Sequence, residues 1–274
     1  MLRPEAFLLP SSNSELFCLF HRGSNPSRPS GAVVYIHPFA EEMNKSRRMA
    51  ALQSRALAAA GFAVLQIDLS GCGDSGGEFL DSTWSGWIGD IVVAARWLRD
   101  ATQCVPWLWG LRAGCLVAGE AAARIDGVSG LLYWQPVHSG THHLQQFLRL
   151  RIAGQLTGGR AGERVGATAL RAELSRGVAV EVGGYRLSPA IAAGLDAAKL
   201  ASIPADSRVV VLEVSATDPP ELTPASRSLV DTWRAAGHDI VAQAVTGVPF
   251  WATQEITACA PLITVTQAAI GGSR

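Results

Sequence analysis

The run Trp109-Gly110-Leu111-Arg112-Ala113-Gly114 sets two glycines on either side of an arginine, each two positions away from it. It follows an apolar run, Val105–Trp109, and precedes a helical stretch, Cys115–Arg124. A strand that turns sharply into a helix needs small residues at both offsets, because backbone passes close to backbone. The middle side chain is then raised above the sheet. With serine in the middle, the pattern G-x-S-x-G would be a nucleophile elbow. Arg112 has no hydroxyl, and a guanidinium stays protonated at any physiological pH, so it is neither nucleophile nor base. An arginine there can bind an anion instead. A helix N-terminus favours negative charge, and the backbone N–H groups of Phe39 and Ala113 would point at the same spot. A carboxylate, phosphate or sulfate would suit that site. Alternatively Arg112 pairs with Asp218 and the site is closed, since buried charges find partners.

Other motifs fall in a matching order. His37-Pro38-Phe39 follows the buried strand Ala32–Ile36, where a loop donating an oxyanion-hole amide would lie. Asp68-Leu-Ser-Gly-Cys-Gly-Asp-Ser-Gly76 is a glycine-dense loop close to D-x-R-G-x-G-x-S. It is no phosphate-binding P-loop, because G-K-[ST] is absent. Asp218 follows the strand Arg208–Val214, at the place of a triad acid. The triad histidine is missing: the loop after the last strand reads Gly247-Val-Pro-Phe-Trp251, and no histidine follows His238. Losing nucleophile or base costs on the order of 10⁶ in rate.

Weaker candidates surround this set. His138, His142 and His143 could replace the base or hold a metal, though their spacing matches no standard ligand set and suits a surface turn. Glu41 and Glu42 could face the pocket or form a solvated loop. Gln145 and Arg149 could line a cavity or belong to an amphipathic lid helix. Cys115 reads as a buried structural thiol, and Asp74 and Ser75 as caps of the following turn. No metal site and no cofactor is expected.

The elements that must position these residues alternate strand and helix, the pattern of a doubly wound, mostly parallel sheet. Two short strands, Ala6–Leu9 and Leu16–His21, precede it. Helices are expected at Ser46–Ala60, Trp84–Thr102 and Pro224–Ala236, a last strand at Ile240–Val245, and a terminal helix from about Thr253. Alternation breaks between Pro136 and Ala205. The expected division is a core of residues 1–135 and 206–274 with a mainly helical cap of residues 136–205.

The 274 residues are 48% apolar, enough for a large core. Charged residues are 17% and the net charge is zero, which gives no field to hold nucleic acid or an anionic membrane. No apolar run reaches the ~20 residues of a bilayer span, and the N-terminus lacks the form of a signal peptide. Five scattered cysteines without C-x-x-C suit reduced thiols and a cytoplasmic location.

On the elbow, the His37 loop, the glycine-rich loop and Asp218, the chain resembles the α/β-hydrolase superfamily over almost its whole length. Gly110–Gly114, Tyr133–Val137, Gln146–Arg151 and Pro249–Trp251 resemble the family called exosortase A system-associated hydrolase 2. That resemblance implies an exopolysaccharide setting, with an acyl or carbohydrate-linked ligand and a possible partner hydrolase or oligomer. Three functions stay open. Arg112 could bind an anionic or acyl-type group that Asp218 orients or deprotonates, with His37, Phe39, Ala113, His142 and His143 lining the site. The protein could be a non-catalytic binding or scaffolding pseudo-hydrolase. Or it could be a hydrolase that uses the cap histidines.

Overall fold

The computed structural model describes residues 3–12, 14–157, 166–200, 203 and 207–272. The remaining residues of the expected cap, 158–165, 201–202 and 204–205, lie outside that set.

Eight strands form one sheet. They are β1 (Glu5–Pro10), β2 (Glu15–His21), β3 (Gly31–Ile36), β4 (Phe62–Ile67), β5 (Pro106–Leu111), β6 (Gly130–Trp134), β9 (Arg208–Ser215) and β10 (Ile240–Thr246). Their order is β1-β2-β4-β3-β5-β6-β9-β10. Only the β1/β2 and β2/β4 pairs are antiparallel. The parallel part is buried on both faces, and side chains alternate between them. Ala32, Val34 and Ile36 of β3 enter one core. Val33 and Tyr35 enter the other.

Helices cover both faces. Helices α1 (Glu41–Ala59) and α8 (Ala260–Gly271) send Met49, Leu57, Leu262 and Ile270 to one. Helices α2 (Trp84–Thr102), α3 (Gly114–Ala122) and α7 (Pro224–Ala235) send Ile91, Val117 and Trp233 to the other. On the α1/α8 face Trp109 and Trp134 meet edge to face at 4.6 Å, and Trp134 Nε1 donates to Thr266 Oγ1 at 3.0 Å.

Between β6 and β9 stand α4 (Gly140–Thr157), α5 (Ala167–Ser175), a hairpin of β7 (Val180–Val182) and β8 (Tyr185–Leu187), and α6 (Pro189–Ala197). Leu144, Phe147 and Ile191 join the core under α2 and α3. The hairpin was not expected: three-residue strands are too short to show a period. Two helices start elsewhere than expected. Helix α1 begins at Glu41, not Ser46, because Ala40 turns the chain with φ 50° and two glutamates then favour the first turn. Helix α8 begins at Ala260 because residues 253–257 form a loop tied by the Thr253 hydroxyl to Phe250 and Glu255 carbonyls.

The elbow explains its glycines. A Cβ on Gly110 would stand 2.7 Å from Cys115 backbone atoms, and one on Gly114 would stand 2.6 Å from the Ile36 and His37 carbonyl oxygens. Gly89, inside α2, has nothing within 4 Å. Gly114→Ala should therefore cost about 2 kcal/mol or more through forced backbone shifts, while Gly89→Ala should gain up to about 1 kcal/mol of helix propensity. Urea unfolding of the two variants reads the opposite signs.

Candidate functional site

The strained backbone collects at one end of the sheet. Among the described residues four non-glycines have positive φ, and three of them, Ala40, Arg112 and Gln135, lie beyond the C-terminal ends of β3, β5 and β6. These are neighbouring strands. Such conformations cost about 1–3 kcal/mol each and persist where the surroundings enforce them. Arg112, with φ 55°, is the middle residue of the elbow. Its N–H donates to Trp134 O and its carbonyl accepts from Cys115 N, which pins it between β6 and α3.

Arg112 is paired, and the partner is Glu42. Its Nε donates to Glu42 Oε1 at 3.2 Å, and the two side chains are 18% and 13% exposed. The guanidinium carbon lies 5.5 Å from the centroid of Trp251, a cation–π contact. Trp251 thus stands in the loop where a triad histidine was sought. The expected alternative partner, Asp218, is exposed and forms no ion pair with Arg112. Within its loop the Ser215 and Thr217 hydroxyls bond each other, and Thr217 Oγ1 donates to the Pro219 carbonyl. The buried acid at this edge is Glu213, which is 2% exposed and lies in β9. It accepts from Thr223 N, Thr223 Oγ1 and Ser226 Oγ, fastening the start of α7. His138 reaches the same Ser226 hydroxyl at 2.9 Å. Serine sits between acid and histidine there, so the histidine is not oriented by the acid as a triad requires.

The other expected site residues divide. His37 is buried with both ring nitrogens engaged: Nε2 accepts from Leu69 N at 3.2 Å, so Nδ1 carries the proton and donates to Pro38 O at 2.7 Å. It is a tie between the β3 and β4 loops and has no ring nitrogen left for a ligand. Phe39 is an aromatic hub, with Phe79, Trp87, His143 and Phe147 around its ring. The backbone N–H groups of Phe39 and Ala113 have no partner among the described residues. Among the described residues, buried His143 has no partner for Nδ1, and buried Glu42 Oε2 likewise has none. His142 is exposed, as are Gln145 and Arg149, so the latter two face solvent rather than a cavity. Cys115 is buried, its thiol pushed up by burial. Ser75 does not cap a turn: its hydroxyl bonds Asp68 O at 2.5 Å and accepts from Phe17 N. Asp74 caps nothing either, its backbone N–H instead donating to Asp68 Oδ2. Among the described residues no cluster of three or more His, Cys, Asp or Glu is placed to hold a metal, and no helix is long and apolar enough to cross a membrane.

In the sequence Glu42 could face the pocket or lie in a solvated loop, and its pairing with Arg112 was not apparent because it depends on α1 starting at Glu41. Burial pushes its carboxyl up to about 6 from 4.5, against the pull of Arg112. Burial, and then the Arg112 charge, push His143 down to about 3 from 6.5. The signs differ. Glu42 binds a proton more readily folded than unfolded, so its contribution is full below 4.5 and falls as pH rises through 6. His143 contributes fully above 6.5 and loses that as pH falls toward 3. Arg112→Ala should follow from this. Near pH 8 it strands an ionised, buried Glu42 and costs about 3 kcal/mol. Near pH 5, where Glu42 is mostly protonated, the loss shrinks to about 1 kcal/mol. Chemical denaturation at the two pH values measures the difference.

Comparison with known proteins agrees with this architecture. No family model matches the chain, and no curated protein does. Solved structures match over nearly all of it. Est1E from Butyrivibrio proteoclasticus, solved with ferulic acid bound, has a TM-score of 0.67 at 18% identity, covering 97% of each chain. An α/β serine hydrolase from Xanthomonas campestris, described as lacking a lid, has a TM-score of 0.60 at 15% identity, covering 99% of this chain and 95% of that one. A soluble variant of monoglyceride lipase from Saccharomyces cerevisiae, in complex with a substrate analogue, has a TM-score of 0.64 at 14% identity with the same coverage. Identities this low speak for the fold alone. The chain has the α/β-hydrolase fold, and structures similar to it include serine hydrolases.

Proposed function

We propose that this protein is a ligand-binding member of the α/β-hydrolase fold that does not perform serine-hydrolase chemistry. The observation that carries the reading is the Arg112–Glu42 ion pair at the elbow, under the ring of Trp251. Arg112 stands at the nucleophile's position and Trp251 lies in the loop where the base would be. The histidines of the insertion do not replace the base. His142 is exposed, and His143, held neutral down to about pH 3, takes a proton poorly near neutrality.

The ligand we assign is an acyl-type small molecule with a carbonyl or carboxyl end. Four polar groups support this: the N–H groups of Phe39 and Ala113, His143 Nδ1 and Glu42 Oε2, all without a partner among the described residues. Leaving such groups unpaired is costly; a ligand's carbonyl oxygen would accept from the two N–H groups, and the hydrogen of its carboxyl would be donated to Glu42 Oε2. Protonation of Glu42 would free Arg112 for a carboxylate. The resemblance to exosortase-associated hydrolases adds an exopolysaccharide setting, carbohydrate-linked acyl ligands and a partner hydrolase to this reading. The free cysteines agree with a cytoplasmic site of action.

An esterase assay tests the catalytic half. With p-nitrophenyl acetate and butyrate, the wild type should release p-nitrophenol no faster than Arg112→Ala, and Arg112→Ser should stay equally silent for want of a base. Turnover that Arg112→Ala abolishes, or activity gained by Arg112→Ser, would contradict the proposal.

A further inference from the structure

We infer that the cleft beside the glycine-rich loop is a second binding site, for a neutral sugar. The cleft has a volume of about 510 Å³, within the range of small-molecule sites. It lies between the first turns of α1, the loop after β4 and strand β8 of the insertion. Arg112 is not among its lining residues. The inference is therefore independent of the proposed elbow ligand.

Three parts of the chain are joined to make it. Asn44 Nδ2 donates to the Tyr185 hydroxyl at 3.4 Å, linking α1 to β8. The Phe79 and Tyr185 rings meet edge to face at 5.3 Å, linking the loop to β8. Arg47 donates to Asp68 Oδ2 at 2.8 Å, linking α1 to the loop. Gly73 permits this last contact: with φ 56°, a Cβ there would stand 2.4 Å from the Arg47 guanidinium and closer still to Asp68. A side chain at that position would fill the place where the pair meets.

The charge balance selects the ligand. Among the described residues Arg47 is the only cation lining the cleft, and it is committed to Asp68, with Asp74 also within its field. An anion would meet one neutralised arginine and a spare carboxylate, and is rejected. An ammonium group gains little, because the Asp74 carboxylate is exposed and water screens its pull. A neutral ligand with several hydroxyls meets no such opposition. The Asp74 carboxylate and Asn44 Oδ1 can accept, and the Tyr185 hydroxyl and the remaining guanidinium N–H groups can donate. These planar groups set donors and acceptors side by side, as vicinal hydroxyls do. Phe79 and Tyr185 offer ring surface for the C–H face of a sugar, and Met43 gives an apolar floor.

Saturation-transfer NMR and calorimetry with maltose, cellobiose, glucuronate and glucosamine test the inference on the full chain. At least one neutral disaccharide should bind with Kd of about 1 mM or tighter. Asp74→Ala and Asn44→Ala should each weaken it about tenfold or more. Both side chains are exposed, so neither change threatens the fold. Arg112→Ala should leave it unchanged, which separates this site from the elbow. No saturable binding of either neutral disaccharide, tighter binding of glucuronate or glucosamine, or affinity unaltered in both Asp74→Ala and Asn44→Ala would overturn it.

Discussion

A guanidinium raised above the end of β5 has to be neutralised, and the group that does so is Glu42, from the first turn of α1. Much of the surrounding structure serves that contact. The elbow holds Arg112 at φ 55°, which is tolerated because strand and helix pack through Gly110 and Gly114. Ala40 turns the chain at φ 50° so that α1 begins in time to present Glu42. His37, with both ring nitrogens occupied, locks the loop between β3 and that turn. Trp251 covers the cation from the loop after β10. Three segments far apart in the chain, residues 37–42, residues 110–114 and the loop that holds Trp251, therefore converge on one ion pair.

The energetics of that pair are delicate. Two partly buried charges lose hydration and recover it only through each other. Glu42 has one oxygen on Arg112 and one buried without a partner among the described residues, and burial wins over the guanidinium in setting its proton affinity. The pair is consequently strongest above pH 6 and weakens where Glu42 takes up its proton. The same cation helps hold His143 neutral. Electrostatics at the elbow are thus organised around a fixed positive charge, where a serine hydrolase would keep a neutral hydroxyl and a titrating imidazole.

The sheet and the elbow were legible in the sequence, because they rest on local signals. Continuous apolar runs such as Ala32–Ile36 are what doubly buried strands require, and Gly110 and Gly114 bracket a turn that only small residues allow. The partner of Arg112 was not legible. It lies 70 positions away, and its identity depends on five residues of helix start that propensity alone does not locate. Asp218 had the right place in chain order, yet it is exposed, and the buried acid of the edge is Glu213, inside the strand. Strand residues that alternate into a core give no sign that one of them will be a carboxylate fastening a helix. The β7–β8 hairpin, which carries Tyr185 to the second cleft, was too short for its pattern to appear.

Glu42 is the buried counter-ion of Arg112. Carbonyl-carbon NMR of the Glu42 carboxyl, followed through its titration, tests that most directly. The midpoint should lie at about 6 in the wild type and move upward in Arg112→Ala as the neighbouring cation is removed. A midpoint near the ordinary 4.5 that does not respond to Arg112→Ala would mean that Glu42 is solvated and unpaired, and that the elbow is open.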